Sequence, residues 1–159
     1  VEAAGADFLL ICTNTMHKIA AELQCAIGIP ILHLADATAL RVKEAGHTTV
    51  GLLGTRFTME QDFYRGRLED HGIKVIVPCS GDMDLVHRVI YEELCLGIVR
   101  EESRTEYLRI IDELSASGAQ GVIEGCTEIV MLVQQQHTGV PLFDTTAIHA
   151  QQAVIEALK

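Results

Sequence analysis

The sequence lacks the features that mark several common classes of protein. Its longest apolar runs fall far short of a bilayer-spanning helix, which argues against a membrane segment. No charged stretch followed by an apolar one marks a secretory signal. Lysine and arginine number 12 against 22 acidic residues, and the formal net charge of −10 argues against non-specific nucleic-acid binding. These absences favour a soluble, cytoplasmic protein that contacts neither nucleic acid nor membrane.

Metal and cofactor motifs are missing as well. The sequence has five cysteines, an odd number, and no close Cys-x-x-Cys spacing, so it resembles neither a disulfide framework nor a zinc site. Reduced thiols in a cytoplasmic protein fit this pattern better. There is no pyridoxal-lysine context, no Walker loop and no His-Glu-x-x-His helix. We therefore expect neither a metal ion nor a cofactor.

Two cysteines stand where an apolar run stops and a helix-like stretch starts. Residues 8–11 lead into Cys12, and residues 121–123 lead into Cys126. A cysteine there lies at the carboxyl end of a strand, in the ligand crevice of open α/β sheets, and beside a helix N-terminus that favours a thiolate. We predict a paired acid and base. The other three cysteines lack this context and are expected to be small apolar residues: Cys25, Cys79 and Cys95.

The surroundings of the two cysteines repeat in the same order, Gly-Ala, Cys-Thr, Gly-x-Pro and Asp-x-Thr. The first copies begin at Gly5, Cys12, Gly28 and Asp36, and the second at Gly118, Cys126, Gly139 and Asp144. This order indicates an internal duplication with one thiol in each half, although chance similarity between two strand–turn–helix units is an alternative.

Strand-like and helix-like segments alternate along a chain of 159 residues that is 48% hydrophobic. Such alternation predicts an α/β fold of parallel sheets covered by helices on both faces. We predict strands at 7–12, 29–34, 50–53, 74–77, 119–125 and 141–143, and helices at 16–26, 36–44, 58–70, 83–97, 101–117, 128–136 and 145–158. A capping-box pattern at residues 58–61 is predicted to open the third helix.

The duplication also predicts how the chain divides. Residues 48–144 hold four predicted strands, whereas only two precede them, so the first lobe should lack its first two strands. Residues 1–5 resemble the last turn of a helix, which also suggests that the chain begins inside a domain. We predict that residues 36–144 form lobe 2 and that residues 1–35 and 145–159 form the remainder of an incomplete lobe 1.

The motif residues resemble the aspartate/glutamate racemase family, which are cofactor-independent amino-acid racemases. The resemblance is carried by residues 10–15 (Leu-Ile-Cys-Thr-Asn-Thr) and 125–128 (Gly-Cys-Thr-Glu). Thr-Glu after the second cysteine is similar to the aspartate-racemase and broad-specificity branch, whereas the glutamate-racemase branch usually has Thr-His. Residues 53–59, 62–64 and 143–145 are also similar to the broad-specificity group.

This resemblance implies two pseudo-symmetric α/β lobes with the active site between them. It also implies a homodimer and a small-molecule amino-acid substrate. Family members usually carry an additional N-terminal segment that this sequence does not contain. Racemisation removes an α-proton on one face and returns one on the other, so one thiol must start as thiolate and the other as thiol. Cys12 and Cys126 are the catalytic candidates, each serving as base in one direction.

The substrate-binding candidates follow from the same segments. Helix N-termini and backbone N–H groups can hold the α-carboxylate, and the resemblance carries this role onto Asn14, Thr15 and Thr127. Thr13 to Thr15 also offer helix N-cap oxygens. Glu128 is expected to orient the substrate ammonium or to tune Cys126, or merely to sit in a first helical turn.

Three further candidates follow the strand at 50–53 and should face the crevice: Thr55, Arg56 and Thr58. Arg56 can bind a side-chain carboxylate or serve as a surface arginine. Three histidines lie near the site segments and are expected either to pack in the core or to contact the residues that line the site: His17, His33 and His149.

The residues leave alternatives open. A related two-cysteine enzyme, maleate isomerase-like or hydantoin racemase-like, also fits two thiols. A non-catalytic amino-acid-binding module would use the same cavity without α-proton exchange. A redox sensor would require a Cys12–Cys126 disulfide as its working state.

Overall fold

The computed structural model describes all residues, 1–159, and centres on one parallel sheet of four strands. In chain order the strands are β1 Thr49–Leu53, β2 Lys74–Ile76, β3 Val122–Glu124 and β4 Leu142–Asp144. They lie in the order β2-β1-β3-β4, and every neighbouring pair is parallel. Gly51 lies opposite Val122, and Glu124 lies opposite Asp144. The predicted α/β class with a helix-flanked parallel sheet is therefore confirmed.

Eight α-helices accompany the sheet. They are α1 Ala20–Ala26, α2 Leu34–Glu44, α3 Arg56–Glu60, α4 Asp62–Asp70, α5 Ser80–Glu92, α6 Glu101–Ala116, α7 Ile129–Leu132 and α8 Thr145–Ala157. Short 3₁₀ turns occur at Glu2–Ala4, Thr15–Ile19, Leu94–Leu96 and Gln135–His137. None of these helices has the length and hydropathy needed to cross a membrane.

The helices cover both faces of the sheet because successive strand residues point to opposite sides. Val122 packs with α5, α6 and α7 in a cluster of 15 buried apolar residues. Ile123, its neighbour in sequence, packs with α2, α4 and α8 in a cluster of 13. Ile148 places α8 in this second cluster, beside Val42 of α2 and Phe143 of β4. The strand ends are thus held rigidly between two cores.

In place of the two strands predicted before residue 36, the structure has a single β-bridge. Leu9 and Ile31 form an isolated parallel β-bridge, with the Leu9 N–H 2.9 Å from the Pro30 carbonyl and the Leu32 N–H 2.9 Å from the Leu9 carbonyl. The direction of pairing agrees with a parallel arrangement, but the predicted lengths of 7–12 and 29–34 are wrong. Two segments without further neighbouring strands have too few partners to form a stable sheet.

The predicted helix boundaries also need correction. Thr55, rather than Thr58, is the N-cap after β1, and its side-chain oxygen accepts the Thr58 N–H at 3.4 Å. Gln61 then adopts an extended conformation, with φ −87° and ψ 148°, and divides the predicted helix into α3 and α4. Two more helices are shorter than predicted: α5 gives way to the 3₁₀ turn at Leu94–Leu96, and α7 ends at Leu132.

Candidate active site

A cavity of about 170 Å³ opens at the carboxyl ends of β1 and β3. This is the edge at which open α/β sheets usually bind ligands. Seven of the predicted site residues line it: Thr13, Asn14, Thr15, Thr55, Cys126, Thr127 and Glu128. The segment that follows Leu9 of the β-bridge and the segment that follows β3 therefore meet at this cavity.

Three predicted site residues lie outside the wall of this cavity. Cys12 is exposed and directly precedes Thr13. Arg56 pairs with Glu60 and with Asp84, so its guanidinium is engaged with two carboxylates. Thr58 is fully buried, and its hydroxyl lies 3.3 Å from the Thr55 hydroxyl, where it supports a residue of the wall.

Glycine at position 125 allows the strand ends to approach each other. The Gly125 N–H donates to the Leu53 carbonyl at 2.7 Å. A Cβ atom at Gly125 would lie only 2.8 Å from that oxygen, a distance that real Cβ atoms essentially never show. Gly54 is similarly tight, because its Cβ would lie 3.0 Å from the Gly125 carbonyl. The close approach of the two strand ends places Cys126 at the carboxyl edge of the sheet.

The thiol of Cys126 donates a hydrogen bond to a carboxylate. Its Sγ atom lies 2.9 Å from Oε2 of Glu128. Burial, reinforced by the Glu128 carboxylate, raises the pKa of Cys126 to about 12, because both disfavour the thiolate. Burial also pushes the pKa of Glu128 upward, but hydrogen bonds from Cys126 and Thr127 outweigh it and leave that pKa lowered. The pair therefore consists of a thiol and a carboxylate at neutral pH.

Asn14 offers a buried acceptor that no group of the chain uses. Its Nδ2 atom lies 3.3 Å from the Thr145 hydroxyl oxygen, and that hydroxyl donates to the Glu124 carbonyl at 2.8 Å. Because the single hydroxyl hydrogen is committed to Glu124, Thr145 must accept from the amide nitrogen of Asn14. The amide orientation is thus fixed, and Oδ1 is left buried without a partner. A ligand with a hydrogen-bond donor would satisfy it.

The predicted N-cap role of the polar residues around Asn14 is wrong. The 3₁₀ turn Thr15–Ile19 begins after Asn14, which has helical φ and ψ and makes no side-chain cap bond. Glu128 likewise precedes α7 without capping it. The side chains of Asn14 and Glu128 are instead bonded to Thr145 and Cys126.

Sequence reasoning missed one wall of the cavity. The wall comes from α5 and the following 3₁₀ turn, together with the strand-end glycine: Ile90, Tyr91, Cys95 and Gly125. Cys95 was expected to be an ordinary apolar residue, yet burial and the nearby Glu128 charge raise its pKa. No strand end or turn motif precedes Tyr91 or Cys95 in the sequence, so only the tertiary packing of α5 reveals them.

No group of three or more His, Cys, Asp or Glu side chains is arranged to hold a metal ion. The polar groups of the cavity are the thiols of Cys95 and Cys126, a carboxylate, an amide and hydroxyls. This donor set suits the ammonium and carboxylate groups of a small zwitterion.

Solved structures of other proteins share this fold. The chain is 57% identical in sequence to a protein from Yersinia pestis whose crystal structure is described as that of an Asp/Glu racemase. The two structures superpose with a TM-score of 0.95, and the match covers 99% of this chain and 69% of that one. An aspartate racemase homologue from Pyrococcus horikoshii OT3 is 33% identical, with a TM-score of 0.90 over 99% of this chain and 70% of that one.

A broad specificity amino-acid racemase of Bacillus subtilis, RacX, is 22% identical over 162 residues, covering 97% of this chain and 66% of the relative. The chain thus spans about two thirds of the length of these relatives. The family model described as Asp/Glu/hydantoin racemase matches residues 1–153. The chain belongs to the Asp/Glu/hydantoin racemase family.

Proposed function

We propose that the protein is an amino-acid racemase, an isomerase that needs no cofactor and uses Cys12 and Cys126 as its two bases. The observation that carries the proposal is the Cys126 thiol, held 2.9 Å from Glu128 in a cavity that also contains the unpaired Oδ1 atom of Asn14. The names of the relatives support the same reaction class: amino-acid racemase, aspartate racemase homologue and glutamate racemase.

The thiol of Cys126 is suited to be the acid in the first direction. Its pKa of about 12 keeps the proton on sulfur until a carbanion forms at the substrate α-carbon. Transfer of that proton leaves a thiolate beside the Glu128 carboxylate, which is a strong base for the reverse direction. Cys12 is the partner base, and it must be a thiolate when the substrate arrives.

The substrate zwitterion would be held by one carboxylate and several neutral polar groups. The resemblance assigns Asn14 to the α-carboxylate, but its unpaired Oδ1 can only accept, so we propose instead that it accepts a hydrogen from the substrate ammonium, which Glu128 attracts by charge. The α-carboxylate is proposed to lie against the polar groups of the two turns and the strand end: Thr13, Thr15, Thr55 and Thr127. Thr58 supports Thr55. Arg56 would have to leave Glu60 and Asp84 to reach a substrate carboxylate.

The arrangement of lobes and subunits is part of the proposal. Residues 36–144 are proposed to form lobe 2, and residues 1–35 with 145–159 to belong to lobe 1 of a cytoplasmic homodimer, with the active site between the lobes. Helix α8 contacts both parts, since Thr145 bonds to Asn14 and Ile148 packs on the sheet.

The first test is α-proton exchange in D₂O. The full-length protein is incubated with single L-amino acids, and deuterium at the α-carbon and loss of chirality are followed by NMR. The panel holds aspartate, glutamate, homoserine and a basic amino acid. We expect deuterium incorporation with loss of chirality for at least one of them, and no racemisation by Cys12→Ala or Cys126→Ala.

A matched control is Cys79→Ala, which removes an exposed cysteine outside the cavity and should leave the rate unchanged. Saturable amino-acid binding without exchange would contradict the proposal and favour the non-catalytic module. Activity in Cys126→Ala equal to that of the parent protein would refute the two-thiol mechanism while leaving the reaction class intact.

A further inference from the structure

His17 lies directly behind the catalytic cavity and is not part of its wall. It follows the cavity residues Thr13, Asn14 and Thr15 on the 3₁₀ turn Thr15–Ile19. Its exposed fraction is 3%, so its polar nitrogens must find partners within the chain.

The His17 ring donates one hydrogen bond and accepts another, and together these two bonds fix its protonation. Its Nδ1 atom lies 2.8 Å from the Thr13 carbonyl oxygen, which only accepts, so Nδ1 carries the hydrogen. Its Nε2 atom lies 3.2 Å from the Leu34 backbone nitrogen, which only donates, so Nε2 carries none. The ring is therefore neutral and in one tautomer, and a second proton would face the Leu34 N–H.

The two bonds connect a weakly held segment to a rigid one. The segment that leads into the turn is attached to other strands only through the Leu9–Ile31 bridge. Leu34, in contrast, is the first residue of α2, whose buried side chains pack into the core of the sheet. His17 also satisfies an N–H at the start of α2 that has no partner within the helix.

We propose that His17 is a positioning residue: its neutral ring ties the turn at residues 13–15 to the start of α2 and so sets the Asn14 amide in the cavity. This role rests on the proposed racemase function, because it concerns how the turn meets the substrate. The bond from Asn14 to Thr145 holds the same turn from the other side.

Other charged and titratable groups surround the ring. The His33 ring centre lies 4.5 Å away and that of His149 lies 6.0 Å away. Lys18 and Arg67 border a surface recess that His17 and His33 also line. Asp36 is paired with Arg67 and His71. Burial lowers the pKa of His17, with His149 acting in the same direction and the Thr13 carbonyl and Asp36 opposing it. His17 therefore keeps the neutral form through neutral pH and loses it in acid.

The test compares two variants that each keep one half of the connection. The longer side chain of His17→Gln can still place an acceptor near the Leu34 N–H, whereas His17→Asn can only replace the donor to Thr13. We expect amide hydrogen exchange at Leu34 to accelerate by about tenfold or more in His17→Asn and by less in His17→Gln. We also expect KM to rise about tenfold in His17→Asn, with kcat changed by less than about threefold.

The pH profile separates positioning from general stability. In the parent protein KM should rise once the pH falls far enough below 6.5, the ordinary histidine pKa, to protonate His17, whose pKa burial lowers. This rise should disappear in both His17 variants. His47→Gln is the matched control, because His47 is a half-buried histidine that follows the other end of α2 and packs against Phe143. It should leave KM and Leu34 exchange unchanged.

Unchanged Leu34 exchange in His17→Asn, or an unchanged KM, would overturn the positioning role. If the parent protein racemises no amino acid while Leu34 exchange still accelerates only in the His17 variants, the proposed function fails and the connection between the turn and α2 stands.

Discussion

The Sγ atom of Cys126 lies 2.9 Å from the carboxylate of Glu128, two residues further along the chain. The contact is made just beyond the end of β3, where the backbone turns into α7. One proton joins the thiol and the carboxylate, and it stays on sulfur because the pKa of Cys126 is raised while that of Glu128 is lowered. Cys126 is therefore a protonated thiol in the wall of the cavity, whereas Cys12 is exposed.

Glu128→Gln should lower the pKa of Cys126, because the neutral amide removes the charge that opposes the thiolate. Burial is the larger cause of the raised pKa, so the value should stay above that of an ordinary cysteine. We expect kcat to fall by about tenfold or more in the direction that uses Cys126 as base, because a thiolate of lower pKa is a weaker base. Thiolate absorbance against pH, with Cys126→Ala as the blank, measures the titration.

The matched control is Glu102→Gln, which neutralises an exposed carboxylate in the first turn of α6 and should leave the Cys126 titration unchanged. An equal or higher pKa of Cys126 in Glu128→Gln would show that the carboxylate does not hold the thiol proton.

The sequence predicts the side of the cavity that contains Cys126 better than the opposite wall. Cys12 directly follows an apolar run, Cys126 follows one after Glu124 and Gly125, and each precedes a threonine. Tyr91 enters the cavity only through the packing of α5, and no local pattern marks it. Residues 7–12 have the composition of a strand, but a strand also needs neighbouring strands, and only one bridge forms here. The break at Gln61 carries neither glycine nor proline, so the sequence gives no sign of it.

Thr145→Val should release the Asn14 amide. The substitution keeps the shape of the side chain but removes the hydroxyl that links Asn14 to the Glu124 carbonyl. Two buried polar groups lose their partner, so we expect a loss of about 1–3 kcal/mol in the free energy of unfolding. KM should rise as well, since Asn14 gains freedom to turn. Urea denaturation and steady-state kinetics measure the two effects.

Thr146→Val is the control for that experiment, because the neighbouring Thr146 is exposed and its side chain makes no hydrogen bond, while its backbone N–H donates to Asp144. If both variants lose the same stability, the hydroxyl of Thr145 has no special role in holding Asn14.

Gly125→Ala should damage the site through sterics alone. The added Cβ would lie 2.8 Å from the Leu53 carbonyl and 3.0 Å from a methyl carbon of Leu52. The strand ends must separate to admit it, at a cost of about 1–3 kcal/mol in the free energy of unfolding. Because Cys126 follows directly, we also expect most of the activity to be lost. Thermal melting and racemisation rate are the measurements.

Gly81→Ala is the matched comparison, because Gly81 lies in α5 with nothing within 4 Å of the added Cβ. Alanine there should raise stability by up to about 1 kcal/mol. A neutral result at Gly125 would mean that the two strand ends are not as close as the structure places them.

Glu124→Gln should remove a pH-dependent loss of stability. Glu124 is 4% exposed, and burial together with the Asp144 charge raises its pKa from the ordinary value of 4.5 to about 8. Between those values the unfolded chain releases a proton that the folded protein keeps, so the parent protein becomes less stable as the pH rises from 4.5 to 8. Glutamine carries no such proton. The variant should therefore match the parent near pH 4.5 and exceed it by a few kcal/mol at pH 8.

Urea denaturation across this pH range measures the difference, and Glu102→Gln again serves as the exposed control. The gain must grow with pH to support the assignment, because a constant gain would reflect packing of the amide rather than ionisation of Glu124. The unpaired Oε1 atom of Glu124 gives the physical reason. No donor within the chain compensates the charge of this carboxylate, so above pH 8 the fold must bury that charge or open the end of β3 to water.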